Sequence, residues 1–191
     1  MENIFFDIKS LKHLGEGAII GKTVRIRQPH QVSIGAGTII DDFTYISGTI
    51  EIGSYCHIAP NTVISGGKGH LKIGNYVGIA SGCSIHLASS DFIKVGLDLP
   101  SIPQALRFGG EAGATEIEDF VLLGAHTVVL PDTFLPEGFA AAAGTIVRKK
   151  SYEPWTLYGG YNCEKLCPRD NQQLLSNKEK LSALLKSPPS L

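Results

Sequence analysis

His86 and Asp91 are the residues of this chain whose types and spacing best suit proton-transfer chemistry. An imidazole titrates near neutral pH and can take a proton from a hydroxyl as it attacks a carbonyl. A carboxylate a few residues on can orient that ring or bind the attacking group. Acyl transfer from a thioester would need such a pair when the acceptor is an alcohol, together with donors for the oxyanion. The plainer assignment makes His86 an outward-facing residue bonded to a neighbouring carbonyl and Asp91 the start of a turn. His70, Ser90 and Arg107 are the polar residues placed to hold an acceptor beside them.

What positions these side chains is a six-residue repeat. From Leu14 onward an aliphatic residue opens each block, and the clearest run is IGNYVG, IASGCS, IHLASS from Ile73 to Ser90. The first places run Leu14, Ile20, Ile26, Ile34, Ile40, Ile46, Ile52, Ile58, Ile64, Ile73, Ile79 and Ile85, then resume at Ile117 and end at Val147. A period of six matches neither a helix nor a coiled coil, and the strands it allows are too short and too regular for a sandwich. It fits a parallel β-helix with three short strands per coil and the first-place aliphatics stacked inward. Eighteen blocks make about six coils. Stability is then nearly a sum over neighbouring coils.

The phase of the repeat locates the interruptions. Two extra residues follow Ile26, three follow Ile64, and a long excursion, residues 91–116, follows Ile85. All three fall after the third block of a coil, so in-register stacking would project them from one corner. His30, His70, His86 and Asp91 should therefore gather along one edge. Loops collected on one side of a rigid scaffold commonly form its binding rim.

The chain divides accordingly into an N-terminal cap over 1–13, the β-helix over 14–150, and a C-terminal segment over 151–191. In the last, Trp155, Leu157 and Tyr158 suit a cover for the open core. Leu174, Leu181 and Leu185 are spaced for one amphipathic helix with Asn171 available to cap it, and SPPSL reads as a tail. With 191 residues and 43% hydrophobic content, one continuous core is expected. A net charge of −1 gives no footprint for nucleic acid or a membrane surface. No apolar run reaches the length of a signal peptide or a membrane span, which suggests a cytoplasmic protein. Cys56 and Cys83 fall where small residues pack, and Cys163 with Cys167 supply only two ligands, short of a zinc site.

The region from Leu14 to Asp170 resembles the hexapeptide-repeat acyltransferases of galactosides and surface polysaccharides. The resemblance is carried by IGNYVGIASGCSIHLASSDF with its long loop, by the return IEDFVLLGAHTVVLPDTFLPEGFAAAAGTIVRK, and by the PWTLYGG exit. It implies a left-handed coil and a homotrimer with active sites between subunits, with acetyl-CoA as acyl donor and no metal. The acceptor would be a sugar or nucleotide-sugar. Family matching points to Gly124, Ala125, His126, Ala142, Ala143 and Gly144 for the pantetheine arm and to Arg148, Lys149 and Lys150 for its phosphates. The implied activity is acetyl transfer to a sugar hydroxyl in polysaccharide biosynthesis.

The sequence also departs from that family. Its usual catalytic histidine position is Ser90 here, which raises the alternative of an amino-sugar acceptor on a nucleotide carrier, needing no protein base. Val121-Leu122-Leu123-Gly124 lacks the family's tryptophan, and Gly159-Gly160-Tyr161-Asn162-Cys163 replaces its usual exit. A carbonic anhydrase of the same fold would need three converging histidines, whereas His57, His86 and His126 occupy different places in their blocks. A non-catalytic scaffold is the remaining alternative, and it would have no affinity for CoA.

Overall fold

The computed structural model of the chain describes residues 2–93 and 97–186. The tail SPPSL and the side chains of Leu181 and Leu185 lie outside the described residues. Three parallel sheets form the sides of a prism. The first face stacks His13–Leu14, Val32–Ile34, Thr49–Ile52, His70–Ile73, Ala114–Ile117 and Phe134–Leu135. The second begins at Ile19–Ile20 and ends at Ala140–Ala141 and Thr156–Gly159. The third runs from Arg25–Ile26 through Val63–Ser65 and Ser84–His86 to Ile146–Val147. Six coils are complete and a seventh is begun by Thr156–Gly159.

The register explains the repeat. Ile20, Ile40, Ile58, Ile79, Leu123, Ala141 and Tyr158 pair strand to strand in one inward column. Ile40, Ile58, Ile64 and Ile85 are fully buried. Each such side chain contributes about 1.5–3 kcal/mol. Corners require a left-handed residue, and Phe43, Tyr55, Asn61, Tyr76, Phe120 and His126 adopt positive φ there alongside glycines.

The ends are closed by different devices. At the N-terminus Asn3 Nδ2 donates to the carbonyls of Gly21 and Val24, while Phe6 and Ile8 pack on the core near Leu11. At the C-terminus Phe139 stacks on Tyr158 and meets Tyr152 edge-on, with ring centroids 5.1 and 5.0 Å apart. Tyr158 covers the core as expected, but Leu157 faces outward and Trp155 joins a ladder of rings, Tyr55, Tyr76, Phe120 and Trp155, along the corner between the first and second faces. The helix Gln172–Lys186 docks on this ladder through Lys178, whose Nζ lies 4.8 Å from the Phe120 ring centroid. Its first turn is capped by Asp170, which accepts from Gln172 N at 3.0 Å, rather than by the side chain of Asn171.

The exit forms a hairpin. Glu164–Pro168 adds antiparallel to Thr156–Gly159 and covers the end of the second sheet. Cys163 is buried and Cys167 exposed. An extended strand between them separates their Cα atoms by roughly 13 Å, beyond the reach of a disulfide.

Candidate active site

All three interruptions of the repeat leave from the corner between the third and first faces. The first carries the 3-10 turn Pro29–Gln31 with His30. The second ends where His70 begins its strand, its N–H donating to Gly113 O at 3.0 Å. The third is the excursion, which starts as an antiparallel neck pairing Ala88 and Ser89 with Ala112 and Glu111. Leu87, fully buried, plugs the corner beneath it. A Cβ at Gly66 or Gly69 would stand 2.4 Å from Leu87 Cβ, so both positions require glycine. The four edge residues thus share one corner at three levels, with His30 two coils below His70 and His86 and Asp91 together one coil above it.

His86 ends the strand Ser84–His86 and faces outward, flanked along the strand by buried Ile85 and Leu87. Its Nδ1 lies 3.5 Å from Ser65 Oγ on the coil below, so its partner is a hydroxyl and not the backbone carbonyl of the plainer assignment. Asp91 does begin a turn, its Oδ1 accepting from Ile93 N at 3.0 Å, and its own N–H donates to Asp98 Oδ2. Ser90 is exposed beside the neck. Arg107 turns back on the excursion, donating to the carbonyls of Pro100 and Ile102, so its fork shapes this loop. The excursion exposes apolar surface, including Phe92 at 86% and Phe108 at 60%.

The residues matched to the pantetheine arm line the other edge of the third face. Gly124, Ala125 and His126 turn the corner between the second and third faces, and Ala142, Ala143 and Gly144 turn it one coil further on. His126, at φ +59°, folds its ring over Gly82 one coil below. Gly144 is left-handed with open space where a side chain would be. Of the three basic exit residues, Arg148 donates to Tyr161 O at 2.6 Å and Lys150 to Asn162 O and Cys163 O, while Lys149 reaches Asp132 at 3.4 Å.

Within one chain the two groups are therefore apart. Strand Ser84–His86 spans the third face, and Gly82 and Leu87 at its ends are separated by roughly 15 Å at the rise of extended chain. Among the described residues no three metal-binding side chains converge. His57 instead pairs with Asp41 on the second face at 2.7 Å. A groove of about 410 Å³ opens on the first face beside Lys72, Asn75, Glu116 and Asp119, away from the excursion. Two of its acids are engaged between successive coils, Asp119 accepting from Asn75 N and Glu116 from Lys72 Nζ. No described helix is long and apolar enough to cross a membrane.

Comparison with known proteins places this geometry. The bacterial transferase hexapeptide (six repeats) pattern matches residues 31–66. The chain is 31% identical over 166 residues to the dTDP-4-amino-4,6-dideoxy-D-glucose acyltransferase of Escherichia coli, covering 85% of both chains. It belongs to the hexapeptide-repeat acyltransferase family. Among solved structures, AntD, an N-acyltransferase from Bacillus cereus in complex with dTDP and 3-hydroxybutyryl-CoA, superposes with a TM-score of 0.85 at 29% identity, over 96% of this chain and all of that one. A maltose O-acetyltransferase from Clostridium difficile 630, 16% identical with a TM-score of 0.55 over 85% of this chain and 72% of its own, shares the fold. The coil is thus the left-handed β-helix of hexapeptide repeats, its repeat read from the spacing and its hand from the resemblance, in an acyltransferase acting on sugars.

Proposed function

We propose that this acyltransferase moves an acyl group from acyl-CoA to the amino group of a nucleotide-linked amino sugar, in the cytoplasm and as a step toward surface polysaccharide. The observation that carries this reading is the match to an amino-sugar acyltransferase across 85% of both chains. It reverses the order set by the sequence, in which a hydroxyl acceptor came first. Position 90 agrees with the reversal, because an amine that is neutral in part near pH 8 attacks without the imidazole that Ser90 replaces.

In the step itself, the sugar nitrogen attacks the thioester carbonyl carbon, forming the C–N bond. The C–S bond then breaks, and the nitrogen's surplus proton leaves with the departing thiolate or with water. The chain's part is to align the reactants and donate to the oxyanion. AntD has been crystallised with a serine replaced and also with an aspartate replaced ten positions further on. Ser81 and Asp91 are the one serine–aspartate pair at that spacing in this chain. That spacing supports assigning Asp91 to the acceptor rather than to His86.

Ser81 and Asp91 lie at opposite edges of the third face, so a complete site needs Asp91 and the excursion of one copy against the corner Gly124–His126 of the next. A three-fold ring of prisms supplies three such contacts, and the exposed Phe92 and Phe108 favour it. The deciding experiment measures thiol release from acetyl-CoA and 3-hydroxybutyryl-CoA with nucleotide-linked amino sugars and with hydroxyl-only sugars. Turnover confined to the hydroxyl acceptors would restore O-transfer. No turnover and no CoA binding would restore the scaffold alternative.

A further inference from the structure

Asp91 holds the acceptor in the proposed reaction, yet it stands on the excursion and not on a coil of the prism. A carboxylate on a loop can place a ligand only if its own backbone is fixed. Two hydrogen bonds fix it. Asp91 Oδ1 accepts from Ile93 N at 3.0 Å, which orients the side chain, and Asp91 N donates to Asp98 Oδ2 at 3.2 Å, which anchors the main chain. Asp98 is half-buried between Leu97 and Leu99, both exposed.

The Asp98 carboxylate also meets the returning limb of the excursion. A Cβ at Gly110 would lie 2.6 Å from Asp98 Oδ2 and 3.2 Å from Asp98 Cβ, so this carboxylate occupies space that only glycine leaves. Gly109 and Gly110 are both left-handed, at φ +80° and +72°, and carry the limb past it. Beside them Phe108 N donates to Leu97 O at 3.2 Å. Asp98 thus ties the start of the excursion to its return.

The root of the excursion is held by other groups. Ala88 and Ser89 pair with Ala112 and Glu111, Gly113 N donates to Leu87 O at 2.8 Å, and Ala114 N donates to Asp132 Oδ1 at 3.0 Å. Arg107 is engaged by the carbonyls of Pro100 and Ile102 and not by Asp98. What Asp98 adds is therefore local to the Asp91 turn.

We infer that Asp98 is a positioning residue for the acceptor: through the Asp91 N–H and the space at Gly110, it sets where the Asp91 carboxylate meets the sugar. This rests on the reading of the chain as an acyltransferase in which Asp91 holds the acceptor.

The test is a kinetic double-mutant cycle on the full chain, with acyl-CoA and whichever acceptor, amino sugar or hydroxyl sugar, the wild type turns over. Asp98→Ala should lower kcat/KM for the acceptor about tenfold, chiefly through its KM, and leave the Kd for CoA unchanged. Asp98→Asn, which keeps an oxygen for the Asp91 N–H, should restore most of that loss. Gly110→Ala crowds Asp98 while leaving both carboxylates in the chain, and should raise the acceptor KM in the same way. In an Asp91→Ala background, Asp98→Ala should cost no more than about twofold, because nothing is left for it to position. A merely structural role would weaken CoA and acceptor alike and would persist in that background. Wild-type kcat/KM in Asp98→Ala, or a further loss of about tenfold on top of Asp91→Ala, overturns the inference. Should Asp98→Ala not fold, Gly110→Ala carries the same comparison in both backgrounds. Turnover confined to hydroxyl acceptors overturns the amino-sugar reading, and the cycle still decides Asp98 with those acceptors. A wild type that turns over neither overturns both.

Discussion

The ring of His126 occupies the space that a side chain at Gly82 would take: a Cβ there would lie 2.5 Å from both Cε1 and Nδ1 of the imidazole. The two residues are corner partners on successive coils, both left-handed, at φ +59° and +72°. Gly82→Ala adds left-handed strain of about 1 kcal/mol and displaces the ring. It should lower Tm by several degrees and raise the KM for acyl-CoA. In a double-mutant cycle with His126→Ala, part of that loss should be recovered, with a coupling of about 0.5–2 kcal/mol. Strict additivity of the two substitutions would show that the ring does not sit on Gly82 in solution.

At the other edge, His86 and Asp91 separate the two mechanisms. With an amine acceptor, His86→Ala should keep kcat/KM within about threefold of wild type, since no imidazole is needed to remove a proton before attack. A loss of 100-fold or more would make His86 the base. Asp91→Ala should cost about 10- to 100-fold through misplacement of the acceptor. Because Asp91 also accepts from Ile93 N, Asp91→Asn keeps the turn and removes only the charge. If Asn restores full activity, Asp91 shapes the loop and nothing more.

The isoleucine columns could be read directly from the sequence because an inward position tolerates only an aliphatic side chain, coil after coil. The phase of the three insertions likewise located the corner that carries His86. The corners were less legible. Tyr55, Tyr76, Phe120 and Trp155 turn through positive φ, a conformation their types give no sign of, and the insertions make their spacing irregular although their rings stack. The resemblance assigns Arg148 and Lys150 to phosphates of the acyl donor, yet both bond carbonyls of a hairpin that has no repeat signature. Ser81 carries no signal of its own, because a serine at a corner of the repeat is ordinary. The order of acceptors could not be settled by spacing, since the same prism presents either.

Arg169 fastens the C-terminal segment to the prism. Its Nη1 donates to the carbonyls of Phe120, Gly138 and Phe139, and burial lowers the guanidinium's pKa. Arg169→Ala leaves those carbonyls without their donor and should cost about 1–3 kcal/mol in urea unfolding. Lys178→Ala, which removes the cation from the Phe120 and Tyr76 rings, should cost about 0.5–1 kcal/mol. Neither should change the Kd for CoA, because both act at the corner opposite the third face. A CoA affinity that falls with either substitution would place the helix in the binding site.

Acid sensitivity should begin at the N-terminal coils. Asp42 Oδ1 accepts from Thr23 Oγ1 at 2.6 Å and from Thr23 N at 2.8 Å, and Thr23 Oγ1 in turn accepts from Phe43 N at 3.0 Å. The Thr23 hydroxyl, then its N–H, hold the Asp42 carboxyl below its ordinary value, with Lys22 adding to the effect and burial opposing it. A carboxyl whose folded pKa lies below its unfolded one, about 3.9, stabilises the fold above that pH and ceases to as pH falls through the folded value. Between about pH 5 and pH 2.5 the Tm of the wild type should therefore fall more steeply than that of Asp42→Asn, which keeps an acceptor for Thr23 but does not titrate. At pH 7 the wild type should be the more stable of the two. Parallel Tm curves across that range would mean that the Thr23–Asp42–Phe43 corner is not where protonation first loosens the coil.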